Sequence, residues 1–145
     1  MLRKRIGNQH AFGRRIGLVE WKVRAIRGAT TVSENSVEAI AEAVKELLDA
    51  IETHNHLDPQ DIISVTFSVT RDLDAIFPAA IARQRPAWDT IPLLDVQQMH
   101  VVGSLEKCIR ILVYINTLKP QQAIYHPYLR QAQSLRPDLV RNRCQ

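Results

Sequence analysis

Two rhythms of apolar and polar residues run along this chain. In WKVRAIRGATTV, residues 21–32, Trp21, Val23, Ala25 and Arg27 alternate with Lys22, Arg24, Ile26 and Gly28, a period of two that predicts a β-strand. From Val37 the period lengthens, and Val37, Ile40, Val44, Leu47, Leu48 and Ile51 form one helical stripe. Asn35, with Glu38 three residues on, predicts a capping box for that helix. Its end is expected between His54 and Leu57, before the turn DPQD. Glu38, Glu42, Glu46, Asp49 and Glu52 fall outside the stripe and read as a solvated surface.

The period of two returns in IISVTFSVT, with Ile63, Val65, Phe67 and Val69 on one face and Ser64, Thr66 and Ser68 on the other. That is the pattern of a half-buried strand. RDLDAIFPAAIARQRPAW reads as a turn with a short helix, and IPLLDV as a third strand. In LEKCIRILVYIN a helix can be drawn through Leu105, Ile109 and Leu112, but Ile109, Ile111, Val113 and Ile115 alternate strictly and are mostly β-branched. A strand is therefore expected, with Arg110 on the same face as Leu112 and Tyr114. The tail shows a turn at LKPQQ, an extended AIYH and a helical turn in PYLRQA. The order β-α-β-β-β predicts an α+β protein, a mixed β-sheet with one long helix packed on one face. The other face needs its own cover, and oligomerisation supplies it economically.

A length of 145 residues suits one domain with a real core. With 46% hydrophobic and 23% charged residues, and no apolar run near the roughly 20 that a membrane span needs, the chain is not expected to be membrane-embedded. A net charge of +4 suggests nucleic acid, but Arg3, Lys4, Arg5, Arg14 and Arg15 alone supply +5, leaving the remainder at −1. A slightly acidic body behind a basic leader does not read as a nucleic-acid-binding face. Residues 1–20 are read as a basic, disordered N-terminal extension: a targeting peptide, a binding arm or, as the favoured reading, an upstream stretch from too early a start, with the native start near Val19. Residues 21–145 are read as a single domain. Cys108 and Cys144 show no CxxC spacing, and no secretory signal precedes them. Both points suit a reduced, cytoplasmic protein.

No nucleophile elbow, phosphate-binding loop, dinucleotide fingerprint or zinc motif occurs. His54 and His56 lack a clear third ligand and read as polar surface, so no metal is expected. What stands out is arginine within strand patterns, Arg27 and Arg110, with Arg83 on a connecting segment and Tyr128 near the end. A guanidinium stays charged and offers a fork that matches a carboxylate, so arginines converging on a concave space predict an anionic ligand. The same pattern fits ordinary ion pairs at a sheet edge or subunit interface, with Asp95 as the partner, and periodicity alone does not choose. Asp95 itself sits in the apolar run IPLLDV, where an unpaired buried carboxylate costs several kcal/mol. Either that strand end is wet, or a donor comes to meet the carboxylate.

IRGATTV at 26–32, FPA at 77–79, Trp88, CIR at 108–110 and HPYLRQAQSLRPDL at 126–139 occur in this order. In these motifs the chain resembles the monofunctional AroH-type chorismate mutases from about Val23 to Leu139, a class distinct from the all-helical mutases. The resemblance implies a homotrimer with a pseudo-α/β-barrel core and active sites in clefts between subunits. It also implies the rearrangement of chorismate to prephenate, at the branch towards phenylalanine and tyrosine, without cofactor, metal or covalent intermediate.

By the same resemblance Arg110 donates to the substrate's ether oxygen and a carboxylate, while Arg27 and Tyr128 grip the enolpyruvyl carboxylate. Phe77, Ala79 and Leu135 match apolar wall positions, and Arg83 matches a basic residue near the mouth. Two departures stand out. Ala80 replaces a common lysine, and the glutamate that commonly accepts the ring hydroxyl is Gln98, while the neighbouring cysteine is Asp95. The carboxylate has moved three residues, so Asp95 is expected to take the hydroxyl contact with Gln98 as a neutral neighbour. Rival readings are a non-catalytic trimeric protein that binds small acids on the same scaffold, and a small trimeric deaminase-like protein.

Overall fold

The computed structural model describes residues 20–141. The expected N-terminal extension lies almost wholly outside the described residues, as does Cys144. Four strands form one mixed sheet: β1 (Lys22–Thr31), β2 (Ile62–Val69), β3 (Leu93–Gln97) and β4 (Cys108–Thr117). Their spatial order is β1-β4-β2-β3. β4 runs antiparallel to both β1 and β2, and β2 runs parallel to the edge strand β3. The long helix α1 (Val37–Asn55) lies on one face, and the short α2 (Pro78–Ala82) and α3 (Pro137–Arg141) are the other α-helices among the described residues. The α+β class and the single long helix expected from the two rhythms are both present, and the ambiguous segment around Ile109 is β4, one of the two inner strands.

Strand alternation puts Ile26 of β1, Val65 and Phe67 of β2, and Ile109, Ile111, Val113 and Ile115 of β4 under α1. They meet Ile40, Val44, Leu47, Leu48 and Ile51 of the helical stripe in one buried cluster with Trp88. Side chains three and four apart on a helix share a face, so that stripe is the surface α1 gives up to the sheet. The acidic side of α1 does more than solvate. Arg85 reaches Asp49 at 2.9 Å and Glu52 at 3.0 Å, and the Trp88 indole donates to Glu52. These bonds pin the segment after α2 to the long helix.

Two local expectations are corrected. The N-cap of α1 is Ser36, whose hydroxyl accepts from the Ala39 N–H at 3.2 Å. Asn35 instead accepts from the Asp74 and Ala75 N–H groups and donates to Asp74. A capping asparagine and an anchor for a distant loop look alike in sequence, because both use the same short amide. Ile63 does not join Val65 and Phe67 on the core face. A register shift between Ile62 and Ser64 buries Ile62 and leaves Ile63 exposed, as an extra residue in one strand does.

The face away from α1 is partly open, with Val23 58%, Leu94 59% and Tyr114 42% exposed. At one end of it the C-terminal segment folds back. Tyr128 bridges to Ala29 in parallel, and Tyr128, Ala132, Ala29 and Cys108 form a second buried cluster. Gly28 permits this approach, since a Cβ there would stand 2.6 Å from the Pro127 carbonyl oxygen. Backbone cannot give way as a flexible side chain can, so Gly28→Ala is expected to destabilise the protein by about 1–3 kcal/mol. A chemical denaturation midpoint measures it, and an unshifted midpoint would mean that residues 127–129 do not pack as described.

Candidate active site

The residues singled out by sequence fall into two groups on opposite sides of the sheet. The first stands at the open face. In the β1–β4 register Arg27 pairs with Leu112 and Ala29 with Arg110, so Arg27 and Arg110 are diagonal neighbours on one face. Both are exposed. Among the described residues neither forms an ion pair with a carboxylate, which removes the structural pairing with Asp95 within one chain. Two adjacent, unneutralised guanidinium groups on a largely apolar surface suit an anionic ligand.

Tyr128 joins this group from the C-terminal segment. Burial pushes its phenol up from the ordinary range, partly opposed by the nearby Arg110 charge, so near neutral pH it is a hydrogen-bond donor. Leu135 packs against the same small cluster of Ala29, Cys108, Tyr128 and Ala132. Burial likewise raises the Cys108 thiol, again opposed by Arg110, which keeps it a packing residue. Gln98 continues the alternation of Leu94 and Val96 just past β3, with its N–H donated to the Val69 carbonyl at 2.8 Å. Its side-chain Oε1 is buried without a hydrogen-bond partner among the described residues.

The second group gathers around α2 and the helix side of β3. Phe77 precedes α2 and is 70% exposed, Ala79 is buried in the first turn, and Arg83 sits exposed at its C-terminal cap. Asp95 pairs in register with the core residue Phe67, which places it on the side of the sheet opposite Arg110. The donor that comes to meet this carboxylate is a backbone group: Asp95 Oδ1 accepts from the Ala79 N–H at 3.0 Å. Burial raises the Asp95 carboxyl above its ordinary value of 3.8, with the Ala79 bond and the Arg83 charge pulling the other way. A cleft of about 550 Å³ opens here, lined by Phe77, Asp95, Val69, Leu73, Ile76 and Arg71 among others. Arg71 went unremarked in the sequence, where a basic residue in the turn after a strand gives no signal beyond its charge.

His126 is the other residue that sequence reasoning missed. Its Nδ1 accepts the backbone N–H of Arg27 at 3.0 Å, so a neutral imidazole fixes the strand edge from which Arg27 projects. Burial lowers its pKa from the ordinary 6.5. As pH falls below 6.5 the unfolded chain takes up this proton before the folded one does. The His126 contribution to stability is therefore lost from about pH 6.5 down to the lowered folded value, and is constant outside that window. Denaturation midpoints between pH 7 and 5 are expected to fall, and to fall less steeply in His126→Ala. Equal slopes would remove His126 as the cause.

Residues 23–139 match the family described as chorismate mutase type I. The chain is 43% identical over 117 residues to the chorismate mutase AroH of Bacillus subtilis strain 168, covering 81% of this chain and 92% of that one. It is 45% identical over 118 residues to the chorismate mutase AroH of Thermus thermophilus, covering 81% and 96% respectively. The solved structure of a chorismate mutase from Clostridium thermocellum superposes with a TM-score of 0.74 at 45% identity, over 77% of this chain and 98% of that one.

Proposed function

Since the chain belongs to the chorismate mutase type I family and is by that relationship a chorismate mutase, an isomerase of aromatic amino acid biosynthesis, we propose that its active site is a cleft assembled between adjacent copies of the chain. Arg27, Arg110, Tyr128, Leu135 and Gln98 from one copy face Phe77, Ala79, Arg83 and Asp95 from the next. The observation that carries this reading is the pair Arg27 and Arg110, side by side on an uncovered sheet face without an acidic partner among the described residues. The sheet separates them from Asp95 and α2 within one chain, while a closed ring of copies brings the two groups together. A homotrimer is the assembly proposed, and it also covers the exposed Val23, Leu94 and Tyr114.

In that cleft the chemistry is positioning and electrostatics. Chorismate is a dicarboxylate whose enolpyruvyl arm must lie over its ring before the new carbon–carbon bond forms. Arg27 and Tyr128 hold the arm's carboxylate, and apolar walls from Phe77 and Leu135, with the buried Ala79 behind Phe77 in the first turn of α2, favour the compact conformer, which removes entropy from the barrier in advance. As the ether C–O bond breaks, negative charge grows on that oxygen and Arg110 donates to it. Asp95 accepts the ring hydroxyl through Oδ2, which makes no hydrogen bond among the described residues, and its charge complements the positive character of the ring fragment. The rearrangement is intramolecular, so the site needs no nucleophile, metal or cofactor.

No helix among the described residues is long and apolar enough to cross a membrane. Its two cysteines and pathway suit the cytoplasm. Incubating the purified protein with chorismate, with a chelator present, is expected to yield prephenate, and light scattering to give the mass of three chains. Chorismate binding without turnover would instead favour a non-catalytic acid-binding protein on this scaffold.

A further inference from the structure

The segment FPAAIA opens α2 without any local means of capping it. The N-cap position is Phe77, whose side chain makes no capping hydrogen bond, and Pro78 fills the first turn without an N–H. Ala79 therefore presents the first free N–H of a helix whose N-cap lacks the usual Ser, Thr, Asp or Asn. Five residues cannot hold a helix in water unaided. The acceptor comes instead from 16 residues along the chain, where Asp95 Oδ1 takes the Ala79 N–H at 3.0 Å. Asp95 is a firm base for this bond, because β3 is paired in register with β2 and the opposite residue, Phe67, is fully buried in the core.

We infer that Asp95 is a positioning residue as well as a substrate contact: its Oδ1 ties α2 to the sheet at Ala79 and so sets where Phe77 stands in the cleft and where Arg83 stands at the far end of the same helix. The inference rests on reading that cleft as the substrate site. Its two oxygens divide the work, Oδ1 to the helix and Oδ2 to the substrate hydroxyl. The wall and mouth are thus tied to the same carboxylate that contacts the ring, so ligand and helix hold the side chain from opposite sides.

Asp95→Asn separates the two roles, since an amide oxygen still accepts the Ala79 N–H but carries no charge, whereas Asp95→Ala removes both. Amide hydrogen exchange at Ala79, read by NMR in the full-length protein, is expected to be on the order of tenfold faster in Asp95→Ala than in wild type or Asp95→Asn, as losing a cap implies. KM for chorismate is expected to be several-fold higher in Asp95→Ala than in Asp95→Asn, the amide rescuing the geometry of α2 but not kcat. Equal Ala79 exchange and equal KM in the two variants would overturn the positioning role. Wild-type kcat/KM in Asp95→Asn, with Ala79 still protected, would overturn the hydroxyl contact alone and leave positioning supported. Wild-type protein supplies a check that needs no variant to fold: an Ala79 amide exchanging at the rate of an unstructured chain would also overturn the inference.

Discussion

Arg110→Ala is expected to lower kcat/KM by at least about 10²–10³ while the protein stays folded, because a preorganised donor aimed at developing charge is worth that much. The two halves of this expectation have separate structural grounds. The Arg110 side chain is exposed on the open face, and the packing of β4 is carried by its neighbours Ile109 and Ile111, buried on the other face. Truncation therefore leaves the core untouched. Arg110 also diagonally neighbours Arg27, so its removal relieves repulsion between like charges in the free protein and does not unfold the strand. Arg110→Lys is expected to recover little, since an ammonium keeps the charge but not the planar fork that meets an ether oxygen and a carboxylate together. Steady-state turnover measures the first half and a denaturation midpoint the second. A folded Arg110→Ala protein with full activity would remove the central element of the mechanism.

Asp95→Ala is expected to reduce kcat/KM at least roughly tenfold more than Gln98→Ala, because hydrogen bonds to a charged partner contribute about 1.5–3 kcal/mol against about 0.5–1.5 for a neutral one, and because alanine also frees the Ala79 N–H that Asp95 holds. The position of the acid makes this comparison informative. Burial raises the Asp95 carboxyl above 3.8, so its charge is poorly solvated in the free protein and gains more from a substrate donor than an exposed carboxylate would. Gln98 Oε1, buried and without a partner among the described residues, is the competing acceptor. Equal small losses would sink the assignment of the hydroxyl contact to Asp95, and a larger loss in Gln98→Ala would transfer it to Gln98. The same raised carboxyl is expected to move the acid limb of kcat/KM above the range of an ordinary aspartate, since activity needs its charged form. That limb should vanish in Asp95→Asn.

Much of the fold was legible because burial imposes a period on any element with one wet side. The stripe from Ile40 to Ile51 and the alternation from Ile109 to Ile115 each describe a surface that only a helix or a strand can present. What was illegible depended on contacts between distant residues. The same amide chemistry makes Asn35 a plausible cap and a loop anchor, and only the arrival of Asp74 and Ala75 decides between them. Nothing in HPY announces that His126 accepts the Arg27 N–H, for that bond spans 99 residues.

The site divides along the same line. Arg27, Arg110, Tyr128, Phe77, Ala79, Arg83, Leu135, Asp95 and Gln98 were all named as candidates from the chain alone, most because motifs keep residue type and order, Asp95 and Gln98 because residue type changes there within an otherwise matching order. By itself the sequence also determined the elements, the uncovered sheet face and the family. Tertiary structure decided that Arg27 and Arg110 stand together, that Asp95 lies across the sheet from them, and that its donor is the Ala79 N–H. The physical reason is that a side chain's type sets what it is able to bond, whereas strand register and helix docking set which groups come within 3 Å of it.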